Sequence, residues 1–571
     1  MSNNDSSKKM NGSTAMWTML QEEGVDCVFG VCGITNVPML HDLYGMTGIK
    51  FVHAANESAA MGMADGYSRA SGKIGVVVVH GAAGLSYAMA NLQNAYAAGT
   101  RVLVIVGQQD APRAWGERFM GIDLAPMVSQ VTKGCWEITS ADEVQLSVNR
   151  ALRDMSSPSP RPVVLSMTTK VQKATVAYRS MPPSGRSLAL DIVPSNSALQ
   201  AAAKMIAEAE NPVIFASRVV ADLDAVAELV GFAETVGAPV YTGNEDKLIF
   251  PSGNPLSRGM VMQMSDPIRN MAASADVLIT IGNELFKYSD APDAPVVPES
   301  TRVIQIDLDS RELAKFCPTD VALLANPKLA LPALQKLLDG TVDVEKRSAR
   351  VARLTEEYRQ REAFVQACLD QDWQDTPIRW GAAFREIACA LPENAIVVDE
   401  LASFYGQLPK VMKFDKPGSY FGHCEALGWG LPATLGVALG SPGQPVVGIL
   451  GDGGALFCIQ ALWSAAKYEI PAVMVIINNG GYGCMRGLFM MHGFEVEAPL
   501  DAEGSEIYDV GALSLCDLAS SFGVTAKRVT EPADIQSVMK EMIALKKPAL
   551  VELMVCPGGS GLSEMSMEFF K

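Results

Sequence analysis

The sequence lacks the features that mark several large classes of protein. Its eleven cysteines are scattered from Cys27 to Cys556 with no Cys-x-x-Cys pair, so neither a disulfide framework nor a zinc site is indicated. Its polar start, MSNNDSSKKMNGS, has no apolar segment behind the two lysines and therefore does not match a signal peptide. No apolar stretch approaches the roughly 20 residues that span a bilayer. We expect a cytoplasmic protein with reduced thiols and no membrane partner.

Basic residues are also in short supply, because 46 Lys and Arg stand against 63 Asp and Glu and give a formal net charge of −17. Such a charge would repel a nucleic-acid backbone, so no nucleic-acid partner is expected. A small anionic ligand remains compatible, since it responds only to its own pocket. A P-loop lysine motif is absent, and the Rossmann fingerprint fails because Leu456 stands where its third glycine would be.

What the sequence does have is a regular alternation of short apolar runs with stretches of helical period. At 571 residues it is too long for one hydrophobic core. Short apolar runs separated by helices are typical of buried parallel strands, so we predict an α/β fold of doubly wound parallel sheets. The runs are VDCVFGV, GVVVV, VLVIVG, PVVLSM, PVIFAS, DVLITIG, RVIQIDL, AIVVD, PVVGILGD, AVMVIIN and ALVELMV.

Two breaks divide the chain into three α/β domains of similar size. Residues 178–197 are rich in Pro and Ser and lack periodicity, as a linker does. A charged helix at 342–366 is followed by DQDWQDTPIRWG, which has the character of a surface crossing. These breaks predict domains at residues 1–185, 186–365 and 366–571. The first and third domains share a rhythm of strands and helices without a close repeat in residue identity.

The most specific pattern joins two strand ends in the third domain. The strand PVVGIL ends in Gly-Asp-Gly-Gly at 451–454, and after one helix the strand AVMVII ends in Asn-Asn-Gly-Gly at 478–481. Asp452 and Asn479 are thus predicted at the carboxyl ends of parallel strands, where ligands bind. Carboxylate, amide and carbonyl oxygens suit Mg²⁺, and glycines let the backbone approach a diphosphate. Either motif alone could be a plain turn or a hairpin turn.

The pattern of GDG with an Asn pair about 26 residues later resembles the cofactor motif of enzymes that depend on thiamine diphosphate (ThDP). The similarity runs over nearly the whole chain, within the group that contains benzoylformate decarboxylase, acetolactate synthase and pyruvate decarboxylase. It implies that Asp452, Asn479 and the carbonyl of Gly481 bind Mg²⁺, with Gly453 and Gly454 beside the diphosphate. The three domains would then be a pyrimidine-binding, a central and a diphosphate-binding domain.

Two further cofactor residues follow from this resemblance. Glu57 lies in the family context NExxAxxxAxGYxRxxG, which assigns it the hydrogen bond to N1′ of the aminopyrimidine that leads to deprotonation of C2. Without the resemblance, it would be a surface charge at a helix start. Leu427, in GSYFGHCEALGWGLPATLG, falls on the bulky wedge beneath the thiazolium ring, although an ordinary core leucine would look the same.

His80 is the main candidate on the substrate side, because it ends the apolar strand VVVV and precedes a Gly-rich turn into a helix. The family's catalytic histidine has the same setting and can shuttle protons; alternatively, His80 only caps the turn. Two positions depart from benzoylformate decarboxylase. Ile34 stands where that enzyme's serine contacts the substrate carboxylate, and Ser289 stands where its second active-site histidine lies. The substrate apparatus is therefore changed, and Ile34 suggests an apolar pocket.

The remaining pocket candidates follow motifs that line the cofactor in the family. Cys484, Met485 and Leu488, with His423 and Cys424, either shape the substrate pocket or belong to the core. The central domain reads FASRVVADLD where flavin-containing acetolactate synthases have a Gly-Gly-Gly run, so we expect no FAD.

Together these observations predict a Mg²⁺- and ThDP-dependent lyase or carboligase that decarboxylates a 2-oxo acid, with or without joining the product to an aldehyde. Glu57 of one subunit would meet the diphosphate site of another, so a homodimer or homotetramer is expected. One alternative is a non-decarboxylating lyase, synthase or hydrolase acting on an acyloin, diketone or acyl-CoA. A catalytically silent ThDP-binding sensor is another, and a flavin or nicotinamide dehydrogenase is disfavoured by the missing fingerprint.

Overall fold

The computed structural model describes residues 8–110, 117, 120–181, 190–243, 246–282, 284–371, 373–422, 425–491, 509–511 and 513–556. Within these ranges the chain forms three six-stranded parallel sheets and one small antiparallel sheet. The predicted α/β class with three doubly wound domains is confirmed. The small sheet pairs β1 (Lys8–Asn11) with β8 (Thr175–Tyr178) and so ties the start of the chain to the end of the first domain.

In the first domain, the central strands of the sheet are mostly apolar because both faces of the sheet are covered. Its strands are β2 (Cys27–Gly30), β3 (Lys50–His53), β4 (Gly75–His80), β5 (Val102–Gln108), β6 (Gly134–Ile138) and β7 (Val163–Thr168), in the sheet order β3-β2-β4-β5-β7-β6. Its helices are α1 (Gly12–Glu22), α2 (Val37–Tyr44), α3 (Glu57–Ser71), α4 (Gly81–Ala97), α5 (Ala125–Val128), α6 (Val144–Ser156) and α7 (Thr169–Lys173). Along β4, Val77 and Val79 face the core under α3 and α4, while Val76 and Val78 face the core under α1 and α6. Both faces of the sheet are therefore buried.

The central domain is a sheet of the order β11-β10-β9-β12-β13-β14, flanked by helices and followed by one long helix. Its strands are β9 (Pro212–Ala216), β10 (Val240–Thr242), β11 (Ser257–Met260), β12 (Val277–Ile281), β13 (Arg302–Asp307) and β14 (Val321–Leu324). Its helices are α8 (Asn196–Glu208), α9 (Val219–Asp222), α10 (Val226–Val236), α11 (Ser265–Ala273), α12 (Pro327–Leu338) and the long α13 (Val344–Gln371).

The third domain has the sheet order β16-β15-β17-β18-β20-β19. Its strands are β15 (Ile396–Glu400), β16 (Tyr420–Gly422), β17 (Val446–Gly451), β18 (Ala472–Asn478), β19 (Thr525–Val529) and β20 (Ala549–Met554). Its helices are α14 (Trp380–Ala390), α15 (Leu408–Val411), α16 (Gly430–Gly440), α17 (Asp452–Leu456), α18 (Ala461–Lys467), α19 (Gly483–Met491), α20 (Leu515–Ser521) and α21 (Ile535–Ala544).

The first and third sheets have the same topology. If the strands of each sheet are numbered along the chain, both follow the order second, first, third, fourth, sixth, fifth. In both, the connections reverse direction between the first and third strands, which are β2 and β4 in one sheet and β15 and β17 in the other. Ligands bind at such switch points, at the carboxyl ends of the strands. The shared rhythm in the sequence thus reflects a shared fold with two matching crevices.

Helices α3 and α16 join these two domains by direct contact of their backbones. A Cβ added at Gly66 would lie 2.4 Å from the carbonyl oxygen of Ala433, and one at Gly436 would lie 2.0 Å from that of Met63. No larger residue fits at either glycine. The apolar side chains around this contact form one core that belongs to both domains.

Two details differ from the sequence-based expectations or bear on them. The single helix predicted between β17 and β18 is two helices, α17 and α18, because backbone bonds around 457–463 run three residues back and tighten the turn. The boundary proposed near 185 lies in 182–189, outside the described residues, and the boundary near 365 falls within α13.

None of the helices in the described part of the chain has the length and apolar character that crossing a membrane requires.

Candidate active site

The predicted metal ligands lie at the crevice of the third sheet. Asp452 directly follows β17, Asn479 directly follows β18, and the two strands pair in parallel with Gly451 opposite Ile477. Both polar side chains are buried. Strand pairing therefore brings together, at one edge of the sheet, two residues that are far apart along the chain.

The carboxylate of Asp452 is only partly satisfied. Its Oδ1 accepts the backbone N–H of Gly453 at 2.8 Å, whereas Oδ2 has no hydrogen-bond partner among the described residues. Burial raises the pKa of Asp452 to about 6, although backbone N–H groups of Gly453, Gly480 and Gly481 act in the opposite direction. An unpaired buried carboxylate oxygen is unfavourable, and a bound cation would satisfy it.

The turn after β18 supplies the other two candidate ligands. Asn478 donates from Nδ2 to Glu552 at 2.8 Å, and the next residue, Asn479, directly follows β18. The carbonyl of Gly481 accepts the N–H of Gly483 at 3.0 Å and keeps its second lone pair. Carboxylate, amide and carbonyl oxygens form a set that suits Mg²⁺. The described residues hold no group of three or more His, Cys, Asp or Glu side chains placed to bind a metal, so this set has one carboxylate only.

Two glycines at the start of α17 let neighbouring side chains pack directly against the backbone. A Cβ at Gly453 would lie 2.6 Å from the ring of Tyr482, and one at Gly454 would lie 3.3 Å from Oε2 of Glu400. Without side chains at these two positions, the backbone at the end of β17 allows the close approach that a diphosphate would need.

Glu400 was missed by the sequence analysis. It ends β15, at the switch point, and is completely buried. Its Oε1 accepts the N–H of Trp429 at 2.8 Å, while Oε2 has no partner among the described residues. Burial raises the pKa of Glu400 to about 7. The signal in the sequence was the Asp-Glu pair that closes the apolar run AIVVDE.

The loop that carries Leu427 is held by helix α4 of the first domain. Asn94 accepts the N–H of Ala426 at 2.8 Å and donates to its carbonyl at 2.8 Å. On the other side of Leu427, the amide of Asn91 lies 3.4 Å from the carbonyl of Gly428. Leu427 itself is half-buried, in keeping with a leucine that has one face in a cleft.

Glu57 is not a surface charge. It is the first residue of α3, its exposed fraction is 8%, and its carboxylate makes no hydrogen bond within the described part of the chain. A Cβ at Gly84 of α4 would lie 2.6 Å from its Oε1, so the carboxylate rests directly on the backbone of α4. Gly84 is one helical turn from His80, and the two predicted catalytic residues therefore share one end of α4.

His80 ends β4 and precedes α4, but its side chain makes no capping hydrogen bond to that helix. Nδ1 instead lies 2.6 Å from Oγ1 of Thr35, in the loop after β2. A Cβ at Gly33 would lie 2.3 Å from the imidazole ring, and the neighbouring Ile34 is 64% exposed. The structure thus brings Ile34 and His80 together at the switch point of the first sheet, with Thr35 as a contact that the sequence did not suggest.

The other predicted pocket residues have different environments. The N–H of Cys484 donates to Oγ of Ser403 at 3.2 Å, just beyond β15, and burial raises the pKa of the Cys484 thiol. Met485 and Leu488, on α19, are exposed on the chain rather than part of its core. Ser289 is exposed and bonds through N and Oγ to the carbonyl of Gln263, within the central domain. The remaining candidates, His423 and Cys424, lie outside the described residues.

The two crevices of one chain approach each other around Ser58. Cys458, six residues after Asp452, lies with Sγ 3.4 Å from Oγ of Ser58, the residue after Glu57. Asn91 bonds to the carbonyl of Ser58 at 2.9 Å and reaches toward Gly428. Helix α4 therefore contacts both the Glu57 segment and the Leu427 loop.

A large cleft of about 1380 Å³ lies elsewhere, where the three domains meet. Arg218 bonds there to Asp222 at 2.7 Å, to Glu284 at 3.1 Å and to the carbonyl of Ala98 at 3.0 Å. The charges of this junction largely satisfy one another, and none of the predicted site residues lines it.

Comparison with known proteins identifies the class to which these two crevices belong. Three sequence profiles of thiamine pyrophosphate enzymes match the chain, the N-terminal TPP binding domain over residues 10–126, the central domain over 199–334 and the C-terminal TPP binding domain over 403–553. The chain belongs to the thiamine-diphosphate-dependent enzymes. Within them it falls in the group of benzoylformate decarboxylase, acetolactate synthase and pyruvate decarboxylase.

Individual relatives agree over most of the chain. Benzoylformate decarboxylase of Pseudomonas aeruginosa is 28% identical over 546 residues, which are 95% of this chain and 98% of the relative. The acetolactate synthase large subunit of Haemophilus influenzae is 24% identical over 553 residues, 94% and 93% of the two chains. The solved structure of the ThDP-dependent 4-hydroxybenzoylformate decarboxylase of Rhodococcus jostii RHA1 superposes with a TM-score of 0.79 at 25% identity, covering 96% of this chain and 99% of that one.

Proposed function

We propose that this enzyme uses Mg²⁺ together with ThDP to decarboxylate a 2-oxo acid, and that it can also join the resulting group to an aldehyde. The observation that carries the proposal is the first turn of α4: His80 directly precedes it, with its ring against Gly33 next to the exposed Ile34, and Oε1 of the buried Glu57 lies against its backbone at Gly84. A carboxylate and an imidazole at this turn would suit activation of the cofactor and proton handling on the substrate. The similarity to two decarboxylases over nearly the whole chain supports the same reaction.

In this proposal the third domain holds the metal and the diphosphate. Asp452, Asn479 and the carbonyl of Gly481 would bind Mg²⁺, and the bare backbone at Gly453 and Gly454 would lie beside the phosphates. The support is the unpaired Oδ2 of Asp452 and the oxygen character of the donor set. When bound, ThDP would supply a carbon nucleophile and, in its cationic thiazolium ring, a sink for the electron pair that departing CO₂ leaves behind.

The chain's own residues would orient the reactants and handle protons. Glu57 would hold a proton shared with the aminopyrimidine, in a largely buried setting. Leu427, fixed through its neighbours Ala426 and Gly428, would lie against the bound cofactor and orient it. His80 would form hydrogen bonds with the oxygen atoms of the substrate.

The substrate we propose has an apolar side chain. Ile34, Met485 and Leu488 present exposed apolar groups, and none of the three could bind a second carboxylate or a sulfonate. A methylene in such a pocket discriminates by only about 1–3 kcal/mol, so we expect tolerance across short aliphatic and aromatic side chains.

We also propose that each active site is shared by two subunits, in a homodimer or homotetramer. Glu57 of one subunit would reach the diphosphate site of the next. The support is that the Glu57 carboxylate has no hydrogen-bond partner within the described part of its own chain.

The direct test is turnover of a panel of 2-oxo acids, from pyruvate to benzoylformate, by protein purified with ThDP and Mg²⁺. Release of CO₂ with formation of the matching aldehyde or acyloin is the expected result. The Asp452→Ala variant, assayed at the same concentration, controls for contaminating activity. Consumption of acyloins or diketones without CO₂ would instead favour a non-decarboxylating enzyme, and ThDP binding without any turnover would favour a sensor.

A further inference from the structure

Thr35 is a buried residue whose side chain is committed to His80. Its exposed fraction is 1%, and within the described residues Oγ1 has a single hydrogen bond, to Nδ1 of His80 at 2.6 Å. The backbone N–H of Thr35 points to the same nitrogen at 3.4 Å. Two groups of one residue therefore converge on one atom of the imidazole.

This convergence determines which ring nitrogen carries the hydrogen. A backbone N–H can only donate, so Nδ1 must accept, and the hydroxyl can then donate to the same lone-pair region. A neutral imidazole has one donor and one acceptor nitrogen. If Nδ1 is the acceptor, the hydrogen lies on Nε2, which makes no hydrogen bond to any described residue.

The loop that presents Thr35 is itself fixed from behind. Gln172, which is fully buried, donates from Nε2 to the carbonyl of Thr35 at 2.8 Å and to that of Met167 at 3.0 Å. A Cβ at Gly107 would lie 2.5 Å from the same Thr35 carbonyl oxygen. The hydrogen bond from Gln172 and the packing against Gly107 fix the backbone of Thr35, so its hydroxyl and N–H stay directed at His80.

We infer that Thr35 is a positioning residue that holds neutral His80 with its hydrogen on Nε2, so that His80 meets the substrate as a hydrogen-bond donor and not as a base at that atom. This inference rests on the proposed function and deepens it. A donor at Nε2 suits an anionic oxygen, such as the carboxylate of a 2-oxo acid or the oxygen that gains charge during reaction. The serine whose place Ile34 takes would thus have a partial substitute in His80.

The first test measures the reactivity of the His80 ring nitrogens and needs no substrate. Diethyl pyrocarbonate acylates an imidazole nitrogen that carries no hydrogen and has a free lone pair. In the wild-type protein Nδ1 is engaged and Nε2 is protonated, so His80 should react slowly. Thr35→Val has the same shape without the O–H, and we expect His80 to react about five-fold faster, the factor that corresponds to one ordinary hydrogen bond.

Thr35→Ser restores the hydroxyl and should return the slow rate. His41, with a side chain that is 85% exposed, serves as an internal control whose modification should be equal in all variants. Peptide mass spectrometry after timed exposure gives both rates from one sample. Equal rates at His80 in the wild-type protein and in Thr35→Val would overturn the inference.

The second test is a double-mutant cycle on turnover of the 2-oxo acid that the panel shows to be decarboxylated fastest. Thr35→Val should lower kcat several-fold in the wild-type background and have no further effect in the His80→Ala background, because its action passes through His80. A merely structural Thr35 would lower kcat in both backgrounds. Hydrogen exchange at C2 of bound ThDP should stay unchanged in all four proteins.

The outcomes separate this inference from the proposed function. If His80→Ala keeps full turnover, the proposed role of His80 in catalysis is wrong, whereas the acylation rates still decide the hydrogen position. If His80→Ala loses turnover and folded Thr35→Val does not, the positioning role of Thr35 alone is wrong.

Discussion

Asn94 holds the backbone of Ala426 from both sides, accepting its N–H and donating to its carbonyl, each at 2.8 Å. The helix that carries Asn94 begins next to His80, so a single rigid element positions both the substrate pocket and the Leu427 loop. We expect Asn94→Leu, which has a similar size without polar atoms, to loosen that loop. ThDP should still bind, but exchange of its C2 hydrogen and kcat should fall together by at least about ten-fold, because Asn94→Leu loses all four side-chain hydrogen bonds of Asn94. Asn94→Asp keeps the acceptor and should lie between the two; wild-type exchange in Asn94→Leu would contradict the role.

The metal assignment predicts that Asp452→Ala and Asn479→Ala lose ThDP affinity and activity together. A cation that bridges protein and diphosphate contributes several kcal/mol, so ThDP should bind about 100-fold or more weakly in the presence of Mg²⁺. Isothermal titration measures this directly. Asn326→Ala is the control, because Asn326 caps α12 in the central domain and its loss should lower the Tm while ThDP affinity remains. Unchanged affinity in the first two variants would refute the assignment.

Glu57→Gln should bind ThDP normally and yet exchange the C2 hydrogen about 10²–10⁴-fold more slowly, the usual contribution of a positioned acid or base. Rapid-quench NMR of the bound cofactor measures the rate. Gly84→Ala offers an independent check, because its Cβ would meet Oε1 of Glu57 at 2.6 Å and displace the carboxylate. Exchange at the wild-type rate in Glu57→Gln would remove Glu57 from the mechanism.

A site shared by two subunits predicts complementation between inactive variants. Subunits with Glu57→Gln and subunits with Asp452→Ala should each form inactive assemblies. Hybrid dimers should recover activity, because one of their two sites then contains an intact Glu57 and an intact Asp452. Co-expression with two affinity tags isolates the hybrids, and light scattering gives their size. Inactive hybrids would mean that both residues serve the site of their own chain.

Glu400 predicts a pH-dependent stability of the cofactor-free protein. Burial raises the pKa of Glu400 from 4.5 to about 7, so the folded state binds its proton more tightly than the unfolded state does. The resulting stabilisation is complete below about pH 4.5 and is lost as the pH rises through about 7. Glu400→Gln stays neutral, so its Tm relative to wild type should rise between about pH 5 and pH 8. Glu345→Gln, on the exposed face of α13, is the control; a constant Tm difference for Glu400→Gln would contradict the expectation.

Interior strands could be predicted from the sequence, and most edge strands could not. β4 and β17 are covered on both faces and, apart from His80 at the end of β4, consist of apolar residues and glycine. The edge strand β19, with the sequence TAKRV, exposes most of its side chains and has no such run. β6 is likewise partly exposed and contains a glutamate. The central strands of each sheet were thus easier to predict from the sequence than the strands at its edges.

The candidate site divides in a similar way. Asp452 and Asn479 could be found because each follows a buried strand within a short motif. Thr35 could not, since its role depends on His80, 45 residues away, and on a loop conformation that no local pattern indicates. The contact of Asn94 with Ala426 spans 332 residues. Such pairs arise only when separate sheets are brought together.

The backbone contact between α3 and α16 also constrains how this enzyme can move. With Gly66 and Gly436 each against a carbonyl oxygen of the other helix, no side chains lie between them that could change rotamer and let the helices slide. The first and third domains of one chain should therefore behave as one rigid body during turnover. Substrate entry and product release would then depend on movements of short segments at the rims of the crevices. The rate of these local movements would set an upper limit on kcat.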